Sequence, residues 1–181
     1  AALRILTIMR PDVSAVAATI PLVAGTRQFI PVDGLRLLKV IRNVKSDGVT
    51  AGQTVRLVQM EELDLIPNWH QAIGSVVIHY CYDPRIPRQF YVYPPVPAGQ
   101  FIDIDYSKEL TEITSDHLNL PLPVDSSYVQ PLQELIMFKL FSGDNEQDRQ
   151  GSAHFQTALS MLGIKAQSEQ DDSPASKASV K

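Results

Sequence analysis

Apolar residues recur at helical spacing near both ends of the chain. Leu3 and Leu6 lie one turn apart near the N-terminus, and Pro11 predicts the end of that helix. Asp125 is a candidate N-cap for a later helix, which carries Val129, Leu132, Leu135, Ile136, Leu140 and Phe141 at helical spacing. A second helix is predicted from about residue 146 to Gly163, with one face formed by Phe155, Ala158, Leu159 and Leu162.

The middle of the chain alternates with the two-residue period of β-strands. The clearest case is 100–107, where Ile102, Ile104 and Tyr106 alternate with Asp103 and Asp105, predicting a half-buried strand whose acids face water. A hairpin is predicted from strands 18–22 and 27–32. Further predicted elements are strands at 35–44, 54–57, 75–82 and 89–93, and a helix at 59–66 that Pro67 ends.

These elements predict an α+β fold, in which a small helical bundle carries an inserted antiparallel β-rich domain. Residues 1–17 and 124–165 form the predicted helical domain, made of the N-terminal helix and the C-terminal helical hairpin. Residues 18–123 form the predicted β-rich domain. Residues 166–181 are polar and poor in apolar side chains, so they are predicted to be an extended C-terminal tail that needs a partner to become ordered.

Composition excludes several classes of protein. The chain has 181 residues, 44% of them hydrophobic, and a formal net charge of -4, which argues against wrapping nucleic acid. Cys81 is the single cysteine, so an intramolecular disulfide is excluded. No apolar stretch approaches the roughly 20 residues of a membrane span. Arg4 and Arg10 interrupt the first apolar run, which argues against a signal peptide.

Candidate catalytic and metal-binding residues are sparse. His79 and Cys81 share one face of a predicted strand, but a structural zinc site needs four ligands and two more are not evident. Asp103 and Asp105 are interpreted as the water-facing side of their strand. The nucleophile-elbow, phosphate-loop, dinucleotide and zinc-protease motifs are all missing. The sequence therefore predicts no catalytic residue, no metal site and no cofactor.

Trp69 and His70 lie between a helix stop and a strand. Because tryptophan is highly buried on average, we expect the pair to plug the core at this corner. The alternative is a binding hot spot, a setting in which tryptophan is enriched.

The segment 82–99 (YDPRIPRQFYVYPPVPAG) is interpreted as a strand between two turns set by prolines. The strand is predicted at 89–93 and is expected to stop at Pro94. Arg85, Ile86 and Arg88 occupy the exposed turn before it and are candidates for contact with a partner.

Several motifs together resemble the head-to-tail adaptor, or connector, family of short-tailed (podovirus) phages, formerly a domain of unknown function. The resemblance extends to Gly163 and is carried by residues 10–12 (RPD), 22–28 (LVAGTRQ), 40–43 (VIRN), 64–70 (DLIPNWH), 82–85 (YDPR) and 90–95 (FYVYPP). It implies a structural virion protein that forms a twelve-membered ring between the portal protein and the tail nozzle or tail tube. It also implies assembly in the bacterial cytoplasm and a lumen through which DNA passes without sequence-specific binding.

The resemblance further implies that the helical domain contacts the portal and neighbouring copies, while the β-rich domain faces the tail. The candidate portal and inter-subunit residues, on the helices and the tail, are Leu132, Leu135, Ile136, Lys139, Phe155, Leu159, Leu162, Ser173, Lys177 and Lys181. The tail, residues 166–181, is expected to extend along the portal or a neighbouring copy.

Two other functions stay open at this point. A tail-associated peptidoglycan hydrolase would need a pair of carboxylates, one of them with a raised pKa. A carbohydrate-binding β module would need an exposed face lined by Tyr80, Tyr82, Tyr91 and Tyr93. Strand alternation places part of that tyrosine set in the core, which disfavours the second alternative.

Overall fold

The computed structural model describes residues 1–110, 113, 121–142 and 148–163. The helices are α1 (Ala2–Met9), α2 (Met60–Asp64), α3 (Val129–Phe141) and α4 (Asp148–Met161). The strands are β1 (Ala15–Pro21), β2 (Gly25–Phe29), β3 (Gly34–Val44), β4 (Ala51–Thr54), β5 (Arg56–Leu57), β6 (His79–Cys81), β7 (Gln89–Val96) and β8 (Phe101–Lys108). Short 3-10 turns lie at Pro11–Ser14 and Ser126–Tyr128. The predicted α+β class is confirmed.

The chain divides into two compact units. The helical unit contains residues 1–13 and the described residues from Leu110 onward, and the β unit contains Ser14–Glu109. The boundaries predicted from the sequence lie instead between residues 17 and 18 and between residues 123 and 124. The difference at the first boundary arises because β1 begins at Ala15, where it already pairs with Ser107 of β8. The predicted tail, 166–181, lies outside the described residues.

The β unit contains two four-stranded sheets. Sheet A has the order β1-β8-β3-β4, and sheet B has the order β2-β7-β6-β5. The predicted hairpin of strands 18–22 and 27–32 is therefore wrong, because β1 pairs with β8 while β2 pairs with β7. Between them the chain passes from one sheet to the other, and the Gln28 side chain exchanges hydrogen bonds with the backbone N–H and carbonyl of Val23.

β8 confirms the alternation expected of a half-buried strand. Ile102, Ile104 and Tyr106 are buried in the main core of the β unit. β8 lies between β1 and β3, so both of its neighbours contribute to the same core. Partners of the three residues in this core include Phe90 and Val92 of β7, from sheet B.

β7 continues through the prolines at which it was predicted to stop. It runs to Val96, which pairs with Gly25 of β2, and the Tyr93–Pro94 peptide is cis. A proline has no N–H to donate but keeps its carbonyl as an acceptor. The Pro95 carbonyl accepts a hydrogen bond from the Gly74 backbone at 2.9 Å, so this part of β7 still joins a neighbouring segment.

The predicted strand 75–82 is shortened to β6. Before β6, the backbone of Val77 is bonded by the side chain of Asn43 and not by a neighbouring strand. Asn43 Oδ1 accepts from the Val77 backbone N–H at 2.9 Å, and Asn43 Nδ2 donates to the Val77 carbonyl at 2.7 Å. Asn43 Nδ2 also donates to the Gln53 carbonyl at 2.9 Å. The predicted strand 54–57 is likewise interrupted, since the buried Val55 separates β4 from β5.

The helical unit is built from α1, α3 and α4 as predicted. Leu6, Leu132, Leu135, Ala158 and Leu162 form its buried core. Two predicted helix ends are confirmed: the Asp125 carboxylate accepts from the Ser127 backbone, and Gly163 ends α4 with a φ of 67°. Pro131 lies in the first turn of α3, where its missing N–H costs no helical hydrogen bond.

Candidate functional site

The exposed residues of α3 coincide only in part with the residues that were predicted to form an interface. Leu132 and Leu135 are buried in the core of the helical unit, so they are not available to a partner within this arrangement. Ile136 is 44% exposed, and two residues that the predicted interface omitted, Met137 and Leu140, are 36% and 68% exposed. We call Ile136, Met137 and Leu140 the outer stripe. The sequence signal for it is that apolar residues occupy more of α3 than one core-facing side requires.

The predicted interface residues on α4 are buried or half-buried within the helical unit. Leu159 and Leu162 are buried, and Phe155 is half-buried with its ring centroid 4.8 Å from that of Phe138. Lys139 is exposed on α3, with its ammonium 5.6 Å from the centroid of the Phe138 ring. The ring pair of Phe138 and Phe155 joins α3 to α4, and Lys139 is the exposed residue of this group.

Polar contacts join all three long helices of the helical unit. His154 Nδ1 on α4 lies 2.7 Å from Glu134 Oε2 on α3. Arg10 donates to the Leu162 carbonyl at 2.9 Å and forms an ion pair with Asp12. The Tyr128 hydroxyl also donates to Asp12, at 3.0 Å. The hydrogen bonds from Arg10 and Tyr128 outweigh the effect of burial and lower the pKa of Asp12.

Ser173, Lys177 and Lys181 of the predicted tail interface lie outside the described residues. Their contact with a portal or a neighbouring copy stays a prediction.

Arg85, Ile86 and Arg88 lie together on an exposed tip of the β unit. The Arg85 guanidinium pairs with Asp83 at 2.8 Å and lowers the pKa of that carboxyl. Arg88 donates to the Val32 carbonyl at 2.8 Å, which joins two loops, and Val32 itself is 91% exposed. We call Val32, Arg85, Ile86 and Arg88 the arginine tip. Sequence reasoning missed Val32 because its loop is brought to this turn by tertiary contacts.

Trp69 and His70 occupy different environments. Trp69 is buried with Leu63 and Cys81, and its indole N–H donates to Asp64 at 3.1 Å. His70 is exposed, with its ring centroid 3.7 Å from that of the indole. Trp69 therefore fills the corner by itself, and His70 covers the indole from outside instead of sharing the buried position.

The histidine and cysteine of β6 have different neighbours in the described part of the chain. Cys81 is buried with its Sγ 3.7 Å from Met60 Sδ, and burial raises the pKa of its thiol to about 11. The ring centroids of His79 and Tyr93 lie 6.3 Å apart in a stacked arrangement. Among the described residues, no group of three or more His, Cys, Asp or Glu side chains could hold a metal ion.

Asp103 forms an ion pair with Arg42, whereas the sequence predicted a residue that only faces water. Its side chain is 17% exposed, and it accepts from Thr19 at 2.6 Å and from Arg42 at 2.7 Å. Burial raises the pKa of Asp103, but the hydrogen bonds and the charge of Arg42 lower it by more. A glycosidase acid needs the opposite shift, so Asp103 does not fit that role.

The tyrosines needed for a carbohydrate-binding face are divided between two cores. Tyr80 is buried in the main core, and Tyr82 packs against it. Tyr91 and Tyr93 pack against the cluster around Trp69. The four rings therefore do not form one exposed sugar-binding surface.

A family model described as the SU10 adaptor protein matches residues 1–179. The chain belongs to the SU10 adaptor protein family. This adaptor is a structural component of phage particles that interacts with other virion proteins. A comparison with curated proteins found no match. In the ranges that the structure describes, none of the adaptor's helices is long and apolar enough to cross a lipid bilayer.

Proposed function

We propose that this adaptor forms a ring of twelve copies between the portal protein and the tail nozzle or tail tube of a short-tailed phage. The helical unit contacts the portal and neighbouring copies, the β unit faces the tail, and DNA passes through the lumen. The ring assembles in the host cytoplasm and then remains in the virion. The observation that carries this proposal is the exposed outer stripe of α3 in a member of an adaptor family.

The outer stripe supports a partner because α3 is apolar on two sides. Leu132 and Leu135 face the core, whereas Ile136 and Leu140 are exposed one turn apart. A surface helix with a single buried face normally carries polar residues on the other side. Covering apolar surface contributes about 25 cal/mol per Å². A neighbouring copy in a closed ring offers every outer stripe the same cover.

The charge of the chain suits a DNA channel. The formal net charge of -4 disfavours binding to phosphates, which requires clustered Lys and Arg. Two exposed or half-exposed arginines of the β unit, Arg42 and Arg85, already pair with Asp103 and Asp83. A lumen formed by such a chain lets DNA pass without tight binding.

The arginine tip is the part of the β unit that we assign to the tail protein. Arg88 holds the two loops together through the Val32 carbonyl, so the tip is ordered before a partner binds. Val32 and Ile86 supply exposed apolar contacts, and Arg85 lies beside them. Arginine next to apolar side chains is typical of protein interfaces.

Electron microscopy of intact particles tests the ring. A reconstruction without imposed symmetry should show twelve copies of this chain directly below the portal. A different position in the particle, or no ring of this chain, would contradict the proposal.

Substitution in the outer stripe tests the surface that carries the proposal. Leu140→Glu places a charge where a neighbour is expected, and Gln130→Glu places the same side chain at another exposed position of α3. Both variants should fold as the wild type does by circular dichroism. Leu140→Glu should lower the number of particles that retain the adaptor, and Gln130→Glu should not. Equal incorporation of both variants would exclude the outer stripe as an interface.

The predicted tail has a separate test. Deleting residues 166–181 should weaken the attachment of the ring to the portal, because the composition of this segment requires a partner for ordering. Unchanged particle assembly by the deletion variant would contradict this part of the proposal.

A further inference from the structure

β1 is an exposed edge strand with no charged residue. Its sequence is AVAATIP, and within the described part of the chain β8 is its one strand partner. Most of its residues are exposed, and Ile20 is the buried member. The free edge of such a strand presents backbone N–H and carbonyl groups that another strand can bind.

The two edges of sheet B, β2 and β5, are less suited to adding a strand. β2 carries Arg27 and a shift in its register with β7, and β5 has two residues, one of them Arg56. Charges, irregular pairing and short length are the usual means by which proteins protect edges. β1 is seven residues long and uncharged, and its register with β8 is unbroken from the pair Ala15 and Ser107 to the pair Pro21 and Phe101. Its one protective feature is Pro21, at the very end of the strand.

The opposite edge of sheet A is also exposed and uncharged. β4 has the sequence AGQT and is exposed along its length. It is short, and its register with β3 shifts once, between Arg42 and Val44, but it carries no charge. One row of side chains crosses the sheet from edge to edge: Thr19 opposes Asp103, Asp103 opposes Arg42, and Arg42 opposes Thr54. The row ends in an uncharged threonine at both edges. The two charged residues inside it, Asp103 and Arg42, pair with each other at 2.7 Å.

A second copy of the chain fits these two edges. Each copy carries a formal net charge of -4, so two copies associate best through surfaces that carry no charge. Joining β1 of one copy to β4 of another brings the two threonine-ended rows together, and cross-strand threonine pairs stabilise sheets. The contact is head-to-tail, which is the kind that generates rings. Pairing β1 with β1 would instead stop at a two-fold dimer.

We propose that β1 of each adaptor pairs with β4 of the next copy, so that sheet A continues from subunit to subunit. This inference rests on the proposed ring and adds its β-unit contact. The backbone hydrogen bonds of the added strand give affinity, and the uncharged side chains on both edges exclude electrostatic repulsion. The outer stripe of α3 is a separate contact in the helical unit.

Cysteine cross-linking in assembled particles tests the strand pair. Ala15, Ala17 and Thr19 share one face of β1, so each is replaced by Cys in turn and combined with Thr54→Cys. Cys81 is buried and stays in place. Because paired cysteines must approach closely, at least one combination should give a ladder of oligomers longer than a dimer on non-reducing gels.

The matched controls keep the β1 cysteines and move the second one to the exposed Gln71, outside the strands. These Gln71→Cys combinations should give no ladder. A ladder of equal intensity from the controls would contradict the proposal, as would dimers from a single β1 cysteine, which indicate pairing of β1 with β1.

A charged edge provides the second test. Ala17→Lys puts a charge on the proposed contact, and Gln71→Lys puts the same charge elsewhere on the β unit. Ala17→Lys should fold but fail to enter rings, whereas Gln71→Lys should assemble. Two outcomes overturn the strand pairing while leaving the proposed function intact. One is a ring, seen by microscopy, that is built from the Ala17→Lys variant. The other is a ring in which no β1 cysteine cross-links to Thr54→Cys. Absence of any ring would overturn both.

Discussion

The β unit encloses its apolar residues more completely than the described part of the helical unit does. Phe90, Ile102 and Ile104 are fully buried in the main β core, and several further strands contribute to that core. In the helical unit, Leu135 is fully buried, but Leu140 on the same helix is largely exposed. The comparison teaches that the β unit is stabilised mainly by its own core, whereas α3 keeps part of its apolar surface outside the core of the helical unit.

The largest effect is expected from the β core. Phe90→Ala removes a fully buried ring and should lower the free energy of unfolding by about 3–5 kcal/mol. Urea denaturation followed by fluorescence measures it, because the single tryptophan, Trp69, lies in the β unit. Phe29→Ala is the control, since Phe29 is exposed and should have little effect. Equal losses from both variants would contradict a self-contained β core.

The helical core should be less sensitive, but its two faces should behave differently. Leu135→Ala should lower the free energy of unfolding by about 2–5 kcal/mol, because it leaves a cavity among α1, α3 and α4. Ile136→Ala changes the next residue, which is partly exposed, and should cost less than Leu135→Ala. Helical circular dichroism during denaturation compares the two. Similar losses would show that the outer stripe is as important for folding as the core.

A buried polar contact should rank next. Asn43→Ala leaves the Val77 N–H and carbonyl and the Gln53 carbonyl without the Asn43 side chain. Leaving a buried polar group unsatisfied costs about 1–3 kcal/mol, and water that enters the site reduces the total. Fluorescence-monitored denaturation measures the change. Gln53→Ala is the control, because it removes an exposed side chain but keeps the backbone carbonyl that Asn43 binds. If both variants lose the same free energy of unfolding, the side-chain hydrogen bonds of Asn43 do not stabilise the protein.

The smallest effect is expected from the ion pair of sheet A. The pKa of Asp103 is lowered in the folded protein, so its stabilising contribution is present above the unfolded pKa, about 3.9, and is lost as the pH falls through the lower folded value. Asp103→Asn should therefore lose less stability than the wild type on acidification below about pH 4. Thermal denaturation at a series of pH values measures the difference.

Asp105→Asn is the matched control for this pH dependence, since it removes the same charge from the same strand. Its acid response should stay closer to that of the wild type than the response of Asp103→Asn does. If Asp103→Asn and the wild type respond identically to acid, the contacts with Thr19 and Arg42 do not stabilise the β unit.

Local patterns predicted the helices and the best strand of this protein. Asp125 and Gly163 marked helix ends through their own backbone preferences, and the alternation of Ile102 and Ile104 marked β8. Each of these signals acts between residues that are close in sequence. The helical core could be predicted from the sequence for the same reason.

The pairing of the strands could not be predicted from local patterns. Nothing local shows that β1 pairs with β8 whereas β2 pairs with β7, because those partners are far apart in the chain. The same applies to Asn43, whose side chain replaces a strand partner for Val77. Among the candidate contact residues, Arg85 could be recognised from its turn, but Val32 joined the arginine tip through a long-range contact with Arg88.

The burial of Cys81 has a consequence for the lifetime of a phage particle outside its host. Oxidation of cysteine proceeds from the thiolate, and a thiol whose pKa is about 11 forms little thiolate at neutral pH. The extracellular medium lacks the reductants that repair sulfenic acids in cells. Because the single thiol stays protonated and lies buried against Met60, the adaptor is protected from oxidation of Cys81 while the particle is outside a host.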